Sequence, residues 1–222
     1  MSKKTAIVFG STGLTGRHLT SLLLEDSDFE KVKIFVRSIT EIQHEKLEQI
    51  FIDFNNPNLI ADSISGDVIF LCLGTTMAKA GGKDAFYKVD YTYTTEIAKI
   101  AHANGVKTAV LISSMGADKN SWIYYSKVKG QVENSLRNLG FESLAIIRPS
   151  LLLGERAEQR TGEKMAMHMS NALSWIFVGP FKKYKAIEAK NVAIAMIKIA
   201  NNIVSGTTIY ESLTLEKIVS KQ

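Results

Sequence analysis

A glycine-rich turn directly after an apolar strand constrains this chain more than any other sequence feature. The segment Ala6–Leu19 reads AIVFGSTGLTGRHL, so Gly10, Gly13 and Gly16 stand between an apolar run and a helical pattern. Glycine lets the backbone approach a ligand closely, and a helix N-terminus offers free N–H groups and a positive dipole end. The segment predicts a nucleotide site, most simply for a dinucleotide. The spacing is G-x-x-G-x-x-G rather than G-x-G-x-x-G, so a tight turn without a ligand is the alternative.

Short apolar runs alternate with helical patterns over residues 1–150. The runs are rich in Val, Ile and Leu without strict alternation, which is typical of strands covered on both faces. We predict strands at Thr5–Gly10, Lys31–Arg37, Gln49–Phe54, Asp67–Leu73, Thr108–Ser114 and Ser143–Pro149, and helices at Leu14–Leu24, Thr92–Ala103 and Trp122–Leu139. Such alternation indicates right-handed βαβ units. The expected fold class is therefore α/β, a Rossmann-type doubly wound parallel sheet of about seven strands.

The pattern changes after Pro149. Residues 150–161 are predicted as a loop, followed by helices at Gly162–Phe177 and Lys190–Ile203, a short strand at Thr207–Glu211 and a helical turn at Leu213–Val219. This part is too short for a separate domain, so we expect one domain over residues 1–222, with 150–222 as a small C-terminal helical cap on the substrate side. Several apolar side chains in this part have two alternative roles. They are expected either to line a substrate pocket or, as is commoner for such residues, to pack in the core: Met165, Met167, Met169, Trp175 and Phe177.

Net charge and cysteine content limit which classes of binding partner and which cellular compartment are expected. The net charge is +5, without the dense basic stripe or binding motif that a nucleic-acid partner requires. Cys72 is the single cysteine, which fits a reducing compartment, and the four histidines show no metal-ligand spacing. No secretory segment precedes the first strand, and no apolar stretch reaches the roughly 18 residues of a membrane span. We therefore expect a cytoplasmic protein with no metal, nucleic-acid or membrane partner, and a homodimer as the candidate assembly.

A second group of residues predicts acid–base chemistry. Tyr125 and Lys129 lie four apart on a predicted helix and so share one face. An ammonium beside a phenol stabilises the phenolate, which makes tyrosine a usable general acid for a carbonyl oxygen that receives hydride. Ser113 and Ser114 end the preceding strand, and either hydroxyl can hydrogen-bond the same oxygen. Tyr-x-x-x-Lys alone also fits a half-buried tyrosine beside an exposed lysine, but the Ser-Ser strand end and the glycine turn favour catalysis.

These segments together resemble the short-chain dehydrogenase/reductase superfamily, and in particular its small, atypical branch of NAD(P)-binding oxidoreductases. The resemblance extends over nearly the whole chain. The matching stretches are Gly10–Gly16, Asp53-Phe54, residues 72–76 (CLGTT), 79–81 (KAG), Val89-Asp90, 113–118 (SSMGAD), Tyr125, Val128–Gly130 and Arg148–Ser150.

The resemblance implies a cofactor role for most of the matching residues. The pyrophosphate would be held by Gly10, Thr12, Gly13, Leu14, Thr15 and Gly16. Asp53 would contact the adenine amine and Phe54 its face, while the ribose would be lined by Leu73, Gly74 and Thr75. Tyr125 and Lys129 would lie on the nicotinamide side, where Lys129 holds the ribose and the segment from Pro149 to Leu151 packs near the ring.

The expected cofactor is NADP(H), bound as NADPH, rather than NAD. Arg37 follows the second strand at the place where NAD-specific members of the superfamily carry an acidic residue. With Ser38 beside it, this arginine suits a 2′-phosphate through charge-assisted hydrogen bonds, with assistance from Arg17.

One position departs from the superfamily pattern. Many members place an asparagine on the fourth helix, where it supports the lysine through a water molecule. This chain has Asp90 in that region. Asp90 either supports Lys129 or caps the helix, and the sequence leaves both roles open.

The leading functional hypothesis is an NADP(H)-dependent oxidoreductase that reduces a carbonyl, or oxidises an alcohol, of a small molecule by hydride transfer. The first alternative is a regulatory protein that senses NADP(H) and binds a protein partner without turnover. The second is a sugar-nucleotide epimerase or dehydratase, for which the segment after Pro149 leaves little room.

Overall fold

A seven-stranded parallel sheet forms the middle layer of the computed structural model, which describes residues 3–154 and 185–221. In chain order the strands are β1 (Lys4–Phe9), β2 (Phe29–Val36), β3 (Leu47–Phe51), β4 (Val68–Leu71), β5 (Thr108–Ile112), β6 (Ser143–Arg148), β7 (Leu152–Leu153), β8 (Ile187–Glu188) and β9 (Gly206–Glu211). The large sheet has the order β3-β2-β1-β4-β5-β6-β9, and every pairing in it is parallel. The predicted fold class is confirmed.

Helices cover both faces of this sheet. They are α1 (Leu14–Glu25), α2 (Met77–Ala80), α3 (Lys83–Tyr87), α4 (Thr94–Ala103), α5 (Tyr124–Leu139), α6 (Ala189–Asn201) and α7 (Ser212–Ser220), with a 3-10 helix at Pro57–Ser63 and a π-helix at Lys88–Tyr93. Alternate residues of β1 enter two separate cores: Val8 packs in the core that includes helix α1, and Ile7 packs in the core that includes α4 and α5. Burial on both faces explains why the strands lack a polar alternation.

The order of the strands decides where a ligand can bind. The chain passes from β1 outward to β2 and β3, then returns to place β4 on the other side of β1. A crevice opens at the carboxyl ends of the strands at such a switch point. The turn Gly10–Gly16, the end of β4 and the end of β5 all lie at this edge of the sheet.

The chain from Met77 to Tyr93 is more helical than its sequence indicates. The predicted helix begins at Thr92, whereas helical backbone already starts at Met77 and resumes at Lys83 after two glycines with positive φ. Aromatic and β-branched residues, which have low helix propensity, are frequent here. Phe86 is fully buried, so its packing outweighs that local preference.

Much of the segment predicted as a cap lies outside the described residues. This applies to the predicted helix Gly162–Phe177 and to the apolar residues assigned to it. The described remainder joins the main layers: α6 packs against α1, and β9 extends the sheet beside β6. The substrate-side cap expected over residues 150–222 stays a prediction, and its residues 155–184 lie outside the described part of the chain.

Candidate active site

Two glycines of the first turn are required by the packing of the chain itself. Gly10 has φ +83°, and a Cβ there would collide with the carbonyl of Cys72 at the end of β4. A Cβ on Gly16 would collide with the carbonyl oxygen of Gly10. These two residues therefore let β1, β4 and α1 approach one another, whether or not a ligand is present.

Gly13 differs from its neighbours, because neither its backbone nor its packing demands glycine. It has φ −76° and ψ 174°, which any residue adopts, and it is exposed. A Cβ there would meet the Gly10 carbonyl oxygen at 3.2 Å, a contact that a small shift relieves. The lack of a side chain at Gly13 is best explained by a ligand that approaches the backbone from the crevice.

The N-terminus of α1 is prepared for an anion. No side chain caps this helix at Gly13, and no acidic residue lies in its first turn. Beside it, the hydroxyl of Ser11 is buried and has no hydrogen-bond partner among the described residues. An orphaned buried hydroxyl next to free helix N–H groups fits a phosphate oxygen. Ser11 was missing from the residues expected from sequence, since serine in a glycine-rich turn carries no distinctive signal.

The residues expected to hold the adenosine follow β2 and β3. Arg37 and Ser38 are exposed directly after β2, so the guanidinium is accessible to a cofactor phosphate. The Asp53 carboxylate accepts hydrogen bonds from the backbone N–H of Asn55 at 2.9 Å and from the side-chain amide of Asn56 at 2.8 Å. Those bonds lower the pKa of Asp53, which keeps it an acceptor. Phe54 is half-buried against the ring of Tyr93, with centroids 5.3 Å apart.

A buried ion pair lies at the centre of the predicted catalytic group. Lys129 Nζ is 2.8 Å from Asp90 Oδ1, and their side chains are 8% and 0% exposed. The other carboxylate oxygen accepts a 2.9 Å bond from the backbone N–H of Thr75, just after β4. Of the two roles that the sequence left open for Asp90, the structure shows direct support of Lys129.

The π-helix is the local device that brings Asp90 to this position. Its backbone bonds run from residue i to i+5 instead of i to i+4, which changes the direction of its side chains relative to a regular helix. Two threonine hydroxyls also donate to carbonyl oxygens of this segment: Thr95 Oγ1 to Tyr91 O at 2.9 Å, and Thr94 Oγ1 to Val89 O at 3.4 Å. The Tyr91 hydroxyl bonds Ser135 Oγ of α5 at 3.0 Å, which joins the π-helix to the helix that carries Lys129.

The ion pair keeps Lys129 charged. Burial alone lowers the pKa of this lysine, but Asp90, Tyr125 and Glu133 outweigh that effect and raise the pKa above its ordinary value. Tyr125 lies one helical turn before Lys129, is half-buried, and has its ring 5.7 Å from that of Phe86. Lys129 is therefore charged and is coupled electrostatically to Tyr125, which precedes it by one turn of the same helix.

The structure distinguishes the two serines at the end of β5. The Ser113 hydroxyl donates to Glu133 Oε1 at 2.5 Å and is thereby engaged inside the protein. The Ser114 hydroxyl is buried but has no partner among the described residues. Of the two serines expected at the catalytic site, Ser114 therefore has the hydroxyl without a partner in the described ranges, and its catalytic role stays a prediction.

Of the residues expected around the ribose and nicotinamide, Gly74 and Thr75 lie at the ion pair. Gly74 lies over it: a Cβ there would be 3.6 Å from Asp90 Oδ1 and 3.7 Å from Lys129 Nζ. The Thr75 amide is committed to Asp90 and is not available to a cofactor. Pro149 is buried, whereas Leu151 is 55% exposed. Leu73, which is partly buried, packs against the core on the α4 and α5 side.

Residues 3–154 and 185–221 contain neither a helix with the length and hydropathy of a transmembrane span nor a cluster of metal-binding side chains, that is, a group of three His, Cys, Asp or Glu that could hold a metal ion.

Solved structures similar to this chain share its fold. The enzyme WbmH of Bordetella bronchiseptica, determined in complex with NAD+, has a TM-score of 0.72 at 15% identity, covering 97% of this chain and 79% of that one. A UDP-N-acetylglucosamine 4-epimerase of Methanobrevibacter ruminantium, in complex with UDP-N-acetylmuramic acid, has a TM-score of 0.71 at 16% identity and covers 95% and 77%. At these identities the likeness establishes the Rossmann-like fold alone.

Several curated proteins share much more of their sequence with this chain than these solved structures do. Protein HTATIP2 of Rattus norvegicus is 36% identical over 209 residues, covering 92% of this chain and 83% of its own length. Protein FMP52 of Candida glabrata is 41% identical over 164 residues, covering 73% and 70%. FMP52 of Candida albicans is 31% identical over 216 residues, covering 91% and 90%.

The names of these relatives correct one expectation. The FMP52 proteins of both Candida species are named as mitochondrial. The cytoplasmic placement expected from the sequence is therefore wrong. The single cysteine on which that expectation partly rested fits any reducing compartment.

The profile of a family described as NAD(P)H-binding matches residues 10–202, which include the glycine turn, Asp90, Ser114, Tyr125 and Lys129. With the relatives above, this match agrees with the resemblance drawn from the motifs. The chain belongs to the NAD(P)H-binding family and has the Rossmann-like fold of the atypical short-chain dehydrogenases/reductases.

Proposed function

We propose that this protein is an NADP(H)-dependent oxidoreductase that reduces the carbonyl group of a small molecule, or oxidises the corresponding alcohol. The observation that carries the proposal is the buried Asp90–Lys129 pair beside Tyr125, with the unpaired Ser114 hydroxyl on the neighbouring strand end. A site that only bound a nucleotide could use the lysine for the ribose, but it would not need a tyrosine one helical turn before that lysine together with an unpaired serine hydroxyl.

The residues of the crevice fit a dinucleotide. The Gly13 backbone, the Ser11 hydroxyl and the N-terminus of α1 would hold the pyrophosphate, while Arg37 would pair with a 2′-phosphate. Lys129 and the Gly74 backbone would face the nicotinamide ribose. When bound, the cofactor supplies hydride to the carbonyl carbon in reduction and accepts it in oxidation.

The side chains of the protein manage the proton and the orientation of the substrate. Ser114 donates a hydrogen bond to the carbonyl oxygen and holds it near the Tyr125 hydroxyl. As hydride arrives at the carbon, Tyr125 transfers its proton to the oxygen, which becomes the alcohol hydroxyl. Lys129 stabilises the resulting phenolate, which then regains a proton from solvent. Asp90 holds Lys129 charged and in place.

The decisive test is NADPH oxidation by the purified protein against a panel of aldehydes, ketones and quinones. With an active substrate, Tyr125→Phe should leave NADPH affinity nearly unchanged and lower turnover by about a hundredfold or more, since general acid catalysis typically contributes 10²–10⁴. Lys129→Ala should weaken both properties. The neighbouring Tyr124 offers a matched control, and Tyr124→Phe should retain turnover within about twofold, because its hydroxyl bonds the Lys83 carbonyl at 3.2 Å instead.

Two outcomes would contradict the proposal. Equal turnover by Tyr125→Phe would remove this residue from the chemistry. No turnover on any substrate, together with an NADPH-dependent affinity for a protein partner, would establish the regulatory alternative.

A further inference from the structure

Glu133 is a buried carboxylate that the proposed reaction does not use. It lies on α5, one turn after Lys129 and on the same face, and it is 0% exposed. A charged side chain without solvent is costly unless other groups satisfy it. Its surroundings therefore indicate what it does.

Four hydrogen bonds converge on this carboxylate. Ser113 Oγ donates to Oε1 at 2.5 Å, and Arg148 donates from Nε to Oε1 at 2.8 Å and from Nη2 to Oε2 at 2.6 Å. Arg137 Nη2 adds a bond to Oε2 at 3.1 Å. The bond to Glu133 also raises the pKa of Arg148. Both oxygens are thus occupied by charge-assisted or short bonds, which are strong and directional.

These bonds join the three elements on which the proposed active site is built. Ser113 follows β5 and precedes Ser114, Glu133 lies on the helix of Tyr125 and Lys129, and Arg148 ends β6 just before Pro149. Backbone bonds complete the junction between the two strand ends, from Ser113 N to Ile147 O at 2.7 Å and from Met115 N to Pro149 O at 2.9 Å.

We propose that Glu133 is a positioning residue, which holds Ser113 and Arg148 together and thereby sets where the Ser114 hydroxyl stands relative to Tyr125. The inference rests on the proposed reductase function. In an extended chain, successive side chains point in opposite directions, so a Ser113 side chain bound to Glu133 directs Ser114 away from it. Ser113 is then a positioning residue as well and takes no part in the chemistry.

A carboxylate is required for this role because glutamine cannot replace all of its bonds. Glu133→Gln puts an NH2 group where one oxygen accepted bonds, and in either orientation of the amide that group faces an N–H donor of Arg148. At least one bond to Arg148 must break, although the side chain keeps its shape. Ser113→Ala removes the bond from the serine and leaves the carboxylate in place.

The kinetic test is a double-mutant cycle with Ser114→Ala. Glu133→Gln and Ser113→Ala should each lower kcat by about tenfold in the parent, since small displacements of a reacting group are costly. In the Ser114→Ala background each should cost less than about twofold, because the hydroxyl that they position is gone. NADPH affinity should stay within about twofold throughout. Glu142→Gln is the matched control, since this carboxylate is 66% exposed and pairs with Lys107.

If Glu133 had a purely structural role, Glu133→Gln would lower kcat by the same factor in the Ser114→Ala background as in the parent. That result would overturn the inference. Crystal structures of the NADPH complexes provide a readout that does not depend on turnover. The Ser114 hydroxyl should move by about 1 Å relative to Tyr125 in Ser113→Ala and in Glu133→Gln. If Glu133→Gln does not fold, Ser113→Ala decides. If Ser114 has not moved in the variants, the positioning role is refuted. If Ser114 has moved in the variants but the parent protein shows no turnover, the result counts only against the proposed reaction.

Discussion

At the scale of single residues, two unpaired hydroxyls mark the two ends of the crevice. Ser11 lies in the glycine turn and Ser114 at the end of β5, and both hydroxyls are buried without a partner in the described part of the chain. Leaving a buried donor unsatisfied costs about 1–3 kcal/mol. Such a cost is tolerated where a ligand later supplies the bond, so in the proposed function the two atoms would receive a phosphate oxygen and the substrate oxygen.

A prediction at this scale concerns the preference for NADPH. Arg37 is exposed after β2, where its guanidinium can form a charge-assisted bond to a 2′-phosphate. Such a bond is worth roughly 1.5–3 kcal/mol, so NADPH should bind at least about tenfold more tightly than NADH. Arg37→Ala should remove most of this difference, as measured by calorimetry with both cofactors. Equal affinities of the parent protein for NADH and NADPH would refute the preference.

At the scale of elements, two irregular segments form the site. The turn from β1 to α1 places bare backbone at a helix N-terminus, and the π-helix between α3 and α4 places a carboxylate against the lysine of α5. Neither the bare backbone at Gly13 nor the π-helix is needed for the fold alone, since a side chain at position 13 would fit and a regular helix would also connect these strands. Both irregularities therefore point to binding and catalysis.

The turn leads to a prediction that separates binding from folding. Gly13→Val should abolish NADPH binding by occupying the space that a ligand needs, while the melting temperature changes by no more than about 2 °C. Gly10→Val should instead prevent folding, because its Cβ collides with the Cys72 carbonyl at a positive φ. Calorimetry and circular dichroism on the two variants measure both effects. Normal NADPH binding by Gly13→Val would show that the turn is only structural.

At the scale of the whole molecule, the sheet order brings distant parts of the chain to one crevice. The glycine turn, Thr75, Asp90, Ser114 and Lys129 come from five separate segments, and all of them meet beside the ends of β1, β4 and β5. The buried Asp90–Lys129 pair connects two of these segments, so removing one partner leaves an uncompensated charge inside the domain.

The stability prediction uses this pair. Asp90→Asn leaves the buried Lys129 charge without its partner and should lower the free energy of unfolding by about 3–5 kcal/mol. The double variant Asp90→Asn/Lys129→Met, which removes both charges, should recover most of the loss. Urea unfolding at neutral pH measures both values. A loss below about 1 kcal/mol in Asp90→Asn would contradict the assignment of a buried, charged pair.

The same pair sets the direction of an alkaline dependence. The pKa of Lys129 in the folded state is raised above its ordinary value of 10.5. The contribution of this shift to the free energy of unfolding is therefore fully present below pH 10.5 and is lost as the pH rises through the folded-state pKa. The unfolding free energy of the parent, relative to the double variant, should therefore be constant from neutral pH to about 10 and then decrease. A difference that increases above pH 10.5 would contradict this sign.

Local spacing and periodic burial, which are visible in the sequence, were sufficient to predict the fold class, the glycine turn, the Tyr125–Lys129 pair and the family. They did not define the role of Asp90, since its contact with Lys129 depends on how the π-helix packs against α5. It could not separate Ser113 from Ser114, because adjacent serines differ only in what they face. Glu133 lies four residues after Lys129, a spacing visible in the sequence, yet its partners come from other strands. Only the tertiary structure brings them together, since parallel strands distant along the chain end at the same edge of the sheet.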